Sequence, residues 1–495
     1  MTYLPPESAA PSGLADPTLP RGWSVWFLAG LALMGPLTMP ANAQSADQTQ
    51  RERILDEPFR LNMDDQTPAE KRVLFDWGGY FRSTFWAADE NVDRDGDGLD
   101  DGYRALRRQQ LRVWGLLDLD QVHRVYARGK LDYLDWNSGS SVDHNDSDWE
   151  GADLDRGWYE FRLSRYQQAY GEPVGQHDLA VKLGRQYVEF GTGLALSLPL
   201  DAALVSLYSG HWQLTGLGGV SLHSAHNIDR SFPGDTNEER TFYGLQVRYN
   251  AWPDHKPFAY FFGQEDDDFG TVRQGQTYGY DSHYLGVGSR GQLGLPNLQY
   301  TVEGVLESGR SHAFGAPARK ESIEAWAFDT ELRYLFMDTK RSELTAEYLL
   351  ASGDGDRDAS PTNTIGGNRP RTDDTSFVAW GFRDTGLALA AVPTNLGMLR
   401  LGASTFPARQ QRCFEHLKVG ASYYFYHKQQ AGGALSDNLS LDEACYAGSE
   451  MDLYLQWRFT SDLAWTARYG LFWPGAAFIT EDERHLFFTG LTLNF

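Results

Sequence analysis

Along most of the chain, apolar and polar residues alternate with a period of two. In 73–86, VLFDWGGYFRSTFW, one face holds Phe75, Trp77, Gly79, Phe81 and Phe85, and the other Asp76, Gly78, Tyr80, Arg82 and Thr84. The pattern recurs with Leu111, Val113, Leu117 and Leu119 set against Gln110, Arg112, Trp114 and Asp118. It returns in 242–250, where Tyr243, Leu245, Val247 and Tyr249 oppose Gly244, Gln246 and Arg248, and in 326–335, where Trp326, Phe328, Thr330, Leu332 and Tyr334 oppose Ala327, Asp329, Glu331 and Arg333. Two late segments repeat it, Leu453, Leu455, Trp457 and Phe459 against Asp452, Tyr454, Gln456 and Arg458, then Leu463, Trp465, Ala467, Tyr469 and Leu471 against Thr466, Arg468 and Gly470. Successive side chains of a strand point to opposite faces, so each segment predicts a strand with one greasy and one polar side. About ten of these segments reach the roughly 9–11 residues that a tilted strand needs to cross a bilayer.

Two kinds of connector alternate between the strands. Some are short and turn-like: 250–255, 337–340 and 460–462. Others are long, acidic and Gly-rich: 88–104, 136–156, 265–281, 353–375 and 428–449. Short turns at one end and long loops at the other are the pattern of an outer-membrane barrel. The last segment, Phe487, Thr489, Leu491, Leu493 and Phe495, alternates and stops on an aromatic, which reads as an assembly signal for the outer-membrane machinery. At about 25 residues per strand and connector, the chain accommodates on the order of 18 strands, an even number as expected. The expected fold class is therefore all-β, a transmembrane antiparallel barrel over 73–495 with short periplasmic turns and long extracellular loops. A barrel of 16–18 strands encloses water, so the polar faces line an aqueous path.

The N-terminal part carries processing features. Residues 24–36 form a short apolar run, Arg21 precedes it and Ala41-Asn42-Ala43 follows as an A-x-A site. Residues 1–43 are expected to be a signal peptide and 44–72 a polar periplasmic leader. Past residue 44 no stretch is apolar for long enough to be a membrane helix. Cys413 and Cys445 are the only cysteines, and they frame no metal motif. The barrel topology puts one near a periplasmic turn and the other in an external loop, so no bridge is expected unless loop 428–449 folds deep into the barrel.

Charge complicates the picture before it helps. Asp and Glu number 67 and Lys and Arg 44, a net charge of −23, which argues against a nucleic-acid partner. Aromatic residues at 14% exclude a disordered acidic chain. The acidic residues concentrate in the leader and the long loops, whereas arginine recurs on the polar faces of the strands. Arg outnumbers Lys 36 to 8. A solvated surface would use either, and the bias toward the planar guanidinium suggests anion pairing.

Several strings resemble the alginate-export family of outer-membrane porins. Leu183-Gly184-Arg185-Gln186 with Phe190-Gly191 is similar to its G-R-Q segment, and Leu350-Ala351-Ser352-Gly353-Asp354 to its S-G-D. Residues 382–407 resemble a late loop-and-strand block, and Gly448–Leu453 with Tyr469–Gly475 resemble its penultimate hairpin. The resemblance spans roughly 73–495 and implies an 18-strand barrel with an Arg-rich constriction passing a polyuronate. The stretch 192–225 is less charged than the alginate exporters proper would have, so a different anionic glycan is open.

The resemblance carries across one lumen residue, Arg185. Alternation adds Arg82, Arg112, Arg128, Arg248, Arg333, Arg400, Arg458 and Arg468, together with Lys130 and Lys182. Rings of Arg or Lys are the usual lining of anion-selective pores. The competing reading pairs each arginine with an acid on a neighbouring strand, with Glu303, Glu307, Glu331, Glu347 and Asp452 available. The expected function is passive passage of an anionic polysaccharide, alginate or a similar polyuronate, with a general or uptake porin for small anions or oligosaccharides as the alternative. An enzyme is not expected, since Ser221 or Ser224 with His223 or His226 sits in no catalytic motif. The expected surroundings are outer-membrane lipid of a Gram-negative-type bacterium, the assembly machinery reading Phe495, and a periplasmic synthesis or secretion scaffold. No cofactor is expected. One loop, Asp93, Asp95, Asp97, Leu99 and Asp101, has the D-x-D-x-D-G spacing of a Ca²⁺ site, but Arg104 stands where a bidentate Glu belongs. Gly353–Asp358 echoes it weakly.

Overall fold

The computed structural model describes residues 75–89, 102–119, 121–138, 140, 147–222, 239–266, 272–273, 276–277, 279–312, 319–356, 369–437 and 439–495. Eighteen strands form one sheet. They are β1 Phe75–Asp89, β2 Tyr103–Leu119, β3 His123–Trp136, β4 Ser147–Arg162, β5 His177–Phe190 and β6 Leu196–Ser209. Next come β7 Trp212–Ser221, β8 Arg240–Tyr249, β9 His255–Asp266, β10 Tyr280–Gln292, β11 Leu298–His312 and β12 Lys320–Leu335. The last six are β13 Glu343–Ala351, β14 Leu396–Thr405, β15 Leu417–Lys428, β16 Tyr446–Arg458, β17 Leu463–Pro474 and β18 Arg484–Asn494. Every strand pairs antiparallel with its chain neighbours, and β1 also pairs with β18, from Tyr80 opposite Asn494 to Asp89 opposite His485. The sheet is thus a closed barrel. One short helix, α1 Leu163–Ala169, lies between β4 and β5. No helix among the described residues is long and apolar enough to cross a membrane.

Alternation decides which side each residue takes. Val113, Leu245, Leu285, Leu306, Leu453 and Leu491 are exposed on the outer face, as the lipid-facing side of a membrane barrel requires. Their strand neighbours Arg112, Gln246, Tyr284, Glu307, Asp452 and Thr492 are buried inside. The terminal Phe495 completes the closure: its N–H donates to the Gly79 carbonyl and its own carbonyl accepts from the Gly79 N–H, both at 2.9 Å.

Three departures from the sequence pattern matter. The connector expected over 136–156 is shorter, because β4 begins at Ser147. The five-residue link between β5 and β6 does not arch outward. It bends into the barrel, where Gly191 N–H donates to Gln246 at 2.7 Å and Thr192 N–H to Glu303 at 2.9 Å. Most consequential, the chain from Asp374 to Asn395 folds inward and packs on the inner wall. Ser376, Phe377, Thr385, Ala390, Ala391, Thr394 and Asn395 are all 0% exposed. Together with 194–196 and the β15–β16 loop around Leu435, it forms an apolar core against Phe242, Phe262, Tyr284, Tyr426 and Phe472. The long-loop half of the barrel is therefore packed, and the short-turn half is hollow. Gly381 marks how tightly: a Cβ there would lie 1.7 Å from the Leu194 carbonyl oxygen. Gly381→Ala should shift the inward loop and lower the barrel's heat-denaturation midpoint by ~1–3 °C, read by heat-modifiability gels, since overpacking costs ~1–3 kcal/mol.

Cys413 and Cys445 are free and exposed. They sit beyond opposite ends of β15, whose 12 residues separate them by roughly 40 Å of strand at ~3.3 Å per residue.

Candidate functional site: a basic cavity

The hollow end holds a cavity of about 980 Å³. Its position follows from its lining: Gly79 and Phe495 at the chain-closing seam, and Arg341, His416 and Ser461 in the short turns. By the sidedness of such barrels this is the periplasmic mouth. Eight of the lining residues are Arg82, Arg128, Arg156, Lys182, Arg341, Lys418, Arg458 and Arg468, and among the described residues the lining holds no Asp or Glu, although Asp155 lies 3.7 Å from Arg156 and Glu343 3.7 Å from Lys418 behind it. Aromatic rings lie among the cations. Trp114, Tyr126 and Trp158 follow one another across β2, β3 and β4 with near-parallel rings 6.2 and 5.3 Å apart, and Lys182 Nζ sits 4.2 Å from the Trp158 ring.

A smaller cavity of about 280 Å³ is lined by Arg248, Lys256 and Arg290 with Gln213, Asn250 and Phe258. Lys256 and Arg290 stand opposite each other in the β9–β10 ladder.

The structure sorts the eleven expected lumen residues into three groups. Arg82, Arg128, Lys182, Arg458 and Arg468 line the large cavity, and Arg248 the small one. Arg112, Lys130, Arg333 and Arg400 face inward but stand beside carboxylates. Arg112 makes a bidentate pair with buried Asp132, and Lys130 lies 3.9 Å from Asp153. Arg333 pairs with Glu331 and Glu343, and Arg400 reaches Glu331 at 3.2 Å and Glu347 at 3.1 Å. Arg128 is also bonded, to Asp155 at 2.5 Å.

Arg185 is a correction. Lys182 and Arg185 are three apart and cannot share a face of a strand with period two. Lys182 and Gln186 take the lumen face, and Arg185 falls on the outer face with exposed Leu183. There it makes a bidentate pair with Asp201 of β6, at 2.9 and 3.0 Å.

The sequence reading missed Arg156, Arg341, His416 and Lys418 in the large cavity and Lys256 and Arg290 in the small one. Arg156 is the last residue of the stretch read as loop, Arg341 lies in a tight turn with φ 48°, and Lys256 follows a turn. A basic residue at the first inward position of a strand is the signal that would have found Lys256 and Lys418. The Asp93–Asp101 loop lies outside the described residues, as do residues 1–74, His223, Ser224 and His226. Ser221 Oγ accepts the Arg240 N–H at 3.0 Å.

A family model described as alginate export matches residues 74–490. The chain belongs to the alginate export family. Among solved structures, Pseudomonas aeruginosa OccK5 (OpdH) is similar at 11% identity, with 85% of this chain and 98% of that one covered and a TM-score of 0.51. Pseudomonas aeruginosa OccK11 (OpdR) is similar at 14% identity, covering 85% and 96%, with a TM-score of 0.50. Both neighbours are outer-membrane porins, and the likeness is one of fold. No curated protein matches the sequence. This member of the alginate export family is thus an outer-membrane porin, a channel-type barrel in a transport family. Its interior separates a basic mouth, in which Arg128 and Arg156 are backed by Asp155 and Lys418 by Glu343, from a packed upper half.

Proposed function

We propose that the barrel passes an anionic polysaccharide, alginate or a similar polyuronate, by passive diffusion, and that the periplasmic-side cavity is where the chain is received. The single observation that carries this reading is the convergence of eight Lys and Arg side chains on one cavity, with no Asp or Glu among its described lining residues. A guanidinium keeps its charge at every physiological pH and can hold a carboxylate with two parallel hydrogen bonds. Several cations around one water-filled space offer exchangeable partners, which favours passage over trapping. The rings of Trp114, Tyr126 and Trp158 add apolar faces beside the cations, which suits pyranose rings better than small inorganic anions. Placing a periplasmic synthesis or secretion scaffold at this mouth, and the assembly machinery at Phe495, completes the proposal. The ion pairs of Arg383 with Asp329 and Glu303 and of Arg400 with Asp384 serve a different end: they hold the inward loop against the wall.

The test is a planar-bilayer recording. Oligouronate added on the short-turn side should block the current at micromolar to millimolar concentration, whereas a neutral oligosaccharide of equal length should block at least about tenfold less well, the factor that ~1.4 kcal/mol of differential binding supplies. Equal block by both would leave the charged lining without a role in recognition.

A further inference from the structure

The barrel wall is not uniform. The β4–β5 ladder runs only from Gly157 opposite Arg185 to Arg162 opposite Ala180. The neighbouring ladder of β5 with β6 continues to Phe190 opposite Leu196, and that of β4 with β3 to Ser147 opposite Asp135. Above Gly157, β4 and β5 therefore no longer pair with each other.

The cause lies in the fold already described. The β5–β6 link is drawn across the interior by Gln246 and Glu303, and Phe382 N–H donates to the Gly193 carbonyl at 2.9 Å. The top of β5 goes inward with it, so Gln186, Val188 and Phe190 are each 1% exposed. The top of β4 stays with β3, and Trp149 and Leu154 are exposed. The two strands part.

Three observations give this seam a function. First, it borders the basic cavity: Arg156 and Trp158 on β4 and Lys182, Gln186 and Tyr187 on β5 are all lining residues. Second, the other way out is filled, because the inward loop 374–395 packs the long-loop half. Third, a guanidinium stands on the outer face where the strands part. Arg185 Nη1 donates to the Leu154 carbonyl at 2.8 Å, bridging the strands beyond the last ladder pair. An arginine on a lipid face costs about 2–4 kcal/mol near mid-bilayer, so a polar, hydrated seam explains its place. The outward pair Tyr133 and Trp149, 4.9 Å apart, marks an aromatic level above it, as at a membrane interface. We propose that the β4–β5 seam is a lateral opening in the barrel wall, a side exit through which an anionic chain in the basic cavity reaches the outer-leaflet side, with Arg185 as its latch.

The test uses the full-length barrel with Cys413→Ser and Cys445→Ser. Had the ladder continued, Asp153 would face Glu189, so these two positions become cysteines. No spontaneous disulfide should form, because a bridge needs Cα atoms within about 7 Å. A long bis-maleimide joining the two thiols should cut the single-channel current at least twofold, and monofunctional maleimide should leave it unchanged. A spontaneous disulfide, or an unchanged current after complete cross-linking, overturns the proposal. A second variant, Arg185→Ala, should raise the current about 1.5-fold by releasing the latch, and an unchanged current there also counts against it. Total current is read in simple salt, so this result is independent of the anion preference on which the proposed function stands.

Discussion

Replacing Lys182, Arg458 and Arg468 by Gln together should lower the anion-to-cation permeability ratio at least about fivefold. The estimate rests on Coulomb's law: at an effective dielectric of about 20, a unit charge ~8 Å from a permeating ion contributes ~2 kcal/mol before salt screening reduces it. These three residues come from β5, β16 and β17, and each lines the large cavity. The fitting control is Arg107→Gln, on the outer face of β2 with its side chain 49% exposed and paired to Asp135. That variant should leave selectivity within the scatter of the wild type. The measurement is the reversal potential across a tenfold KCl gradient. The ratio should also recover part of its size at low salt, because the remaining cations are then less screened. If the triple variant keeps its anion preference, the cavity does not set selectivity, and the small cluster of Arg248, Lys256 and Arg290 becomes the next place to look.

Most of the barrel was legible in the sequence because its physics is local. Period two, strand length and connector length are properties of a few adjacent residues, and they give an antiparallel barrel of about 18 strands without any long-range information. The same reasoning placed ten of the eleven basic residues on the inner face. It failed at Arg185 because a sequence motif was given more weight than alternation, and alternation on β5 puts Lys182 and Gln186 inside instead. What the sequence could not show is which charges cancel. Arg112 and Arg128 look alike along the chain. Yet Asp132 takes Arg112 into a bidentate pair, while Arg128 still borders the cavity after bonding Asp155. Those partners depend on register across strands and on a bulge at Asp155, the residue skipped between Arg156 and Leu154 in the ladder to β3. The inward loop was equally hidden. Its apolar run LALAAV reads as a loop or strand, and only the closed wall around it explains why it is buried.

Removing the Arg383 side chain should open the packed half. Arg383 sits on the inward loop, and burial opposes its charge, but Asp329 and Glu303 outweigh that and hold its pKa above the ordinary value. It donates to Asp329 at 2.7 Å and to the Thr192 carbonyl at 3.2 Å, and lies 3.6 Å from Glu303. One guanidinium thus ties the loop to β11, to β12 and to the β5–β6 link. Arg383→Met leaves two buried carboxylates without their cation, which costs about 3–5 kcal/mol when one partner of a buried pair is lost. The barrel itself should survive, because its closure depends on the ladders and not on this contact. The loop keeps other anchors, among them the Ala388 and Leu389 N–H groups donating to Glu450 at 2.6 and 2.9 Å and the Val378 N–H donating to Glu307 at 2.9 Å, so it should loosen where it meets the β5–β6 link rather than come away whole. The expected result is a single-channel conductance raised at least about twofold with frequent flicker, and protease cleavage within 374–395 where the wild type resists. Adding Asp329→Leu and Glu303→Leu removes the stranded charges and should recover much of the lost heat stability without restoring the low conductance. A single variant with wild-type conductance and protease resistance would show that apolar packing around Phe377, Leu387 and Leu389 holds the loop unaided, and that the charge network is not what closes the upper half.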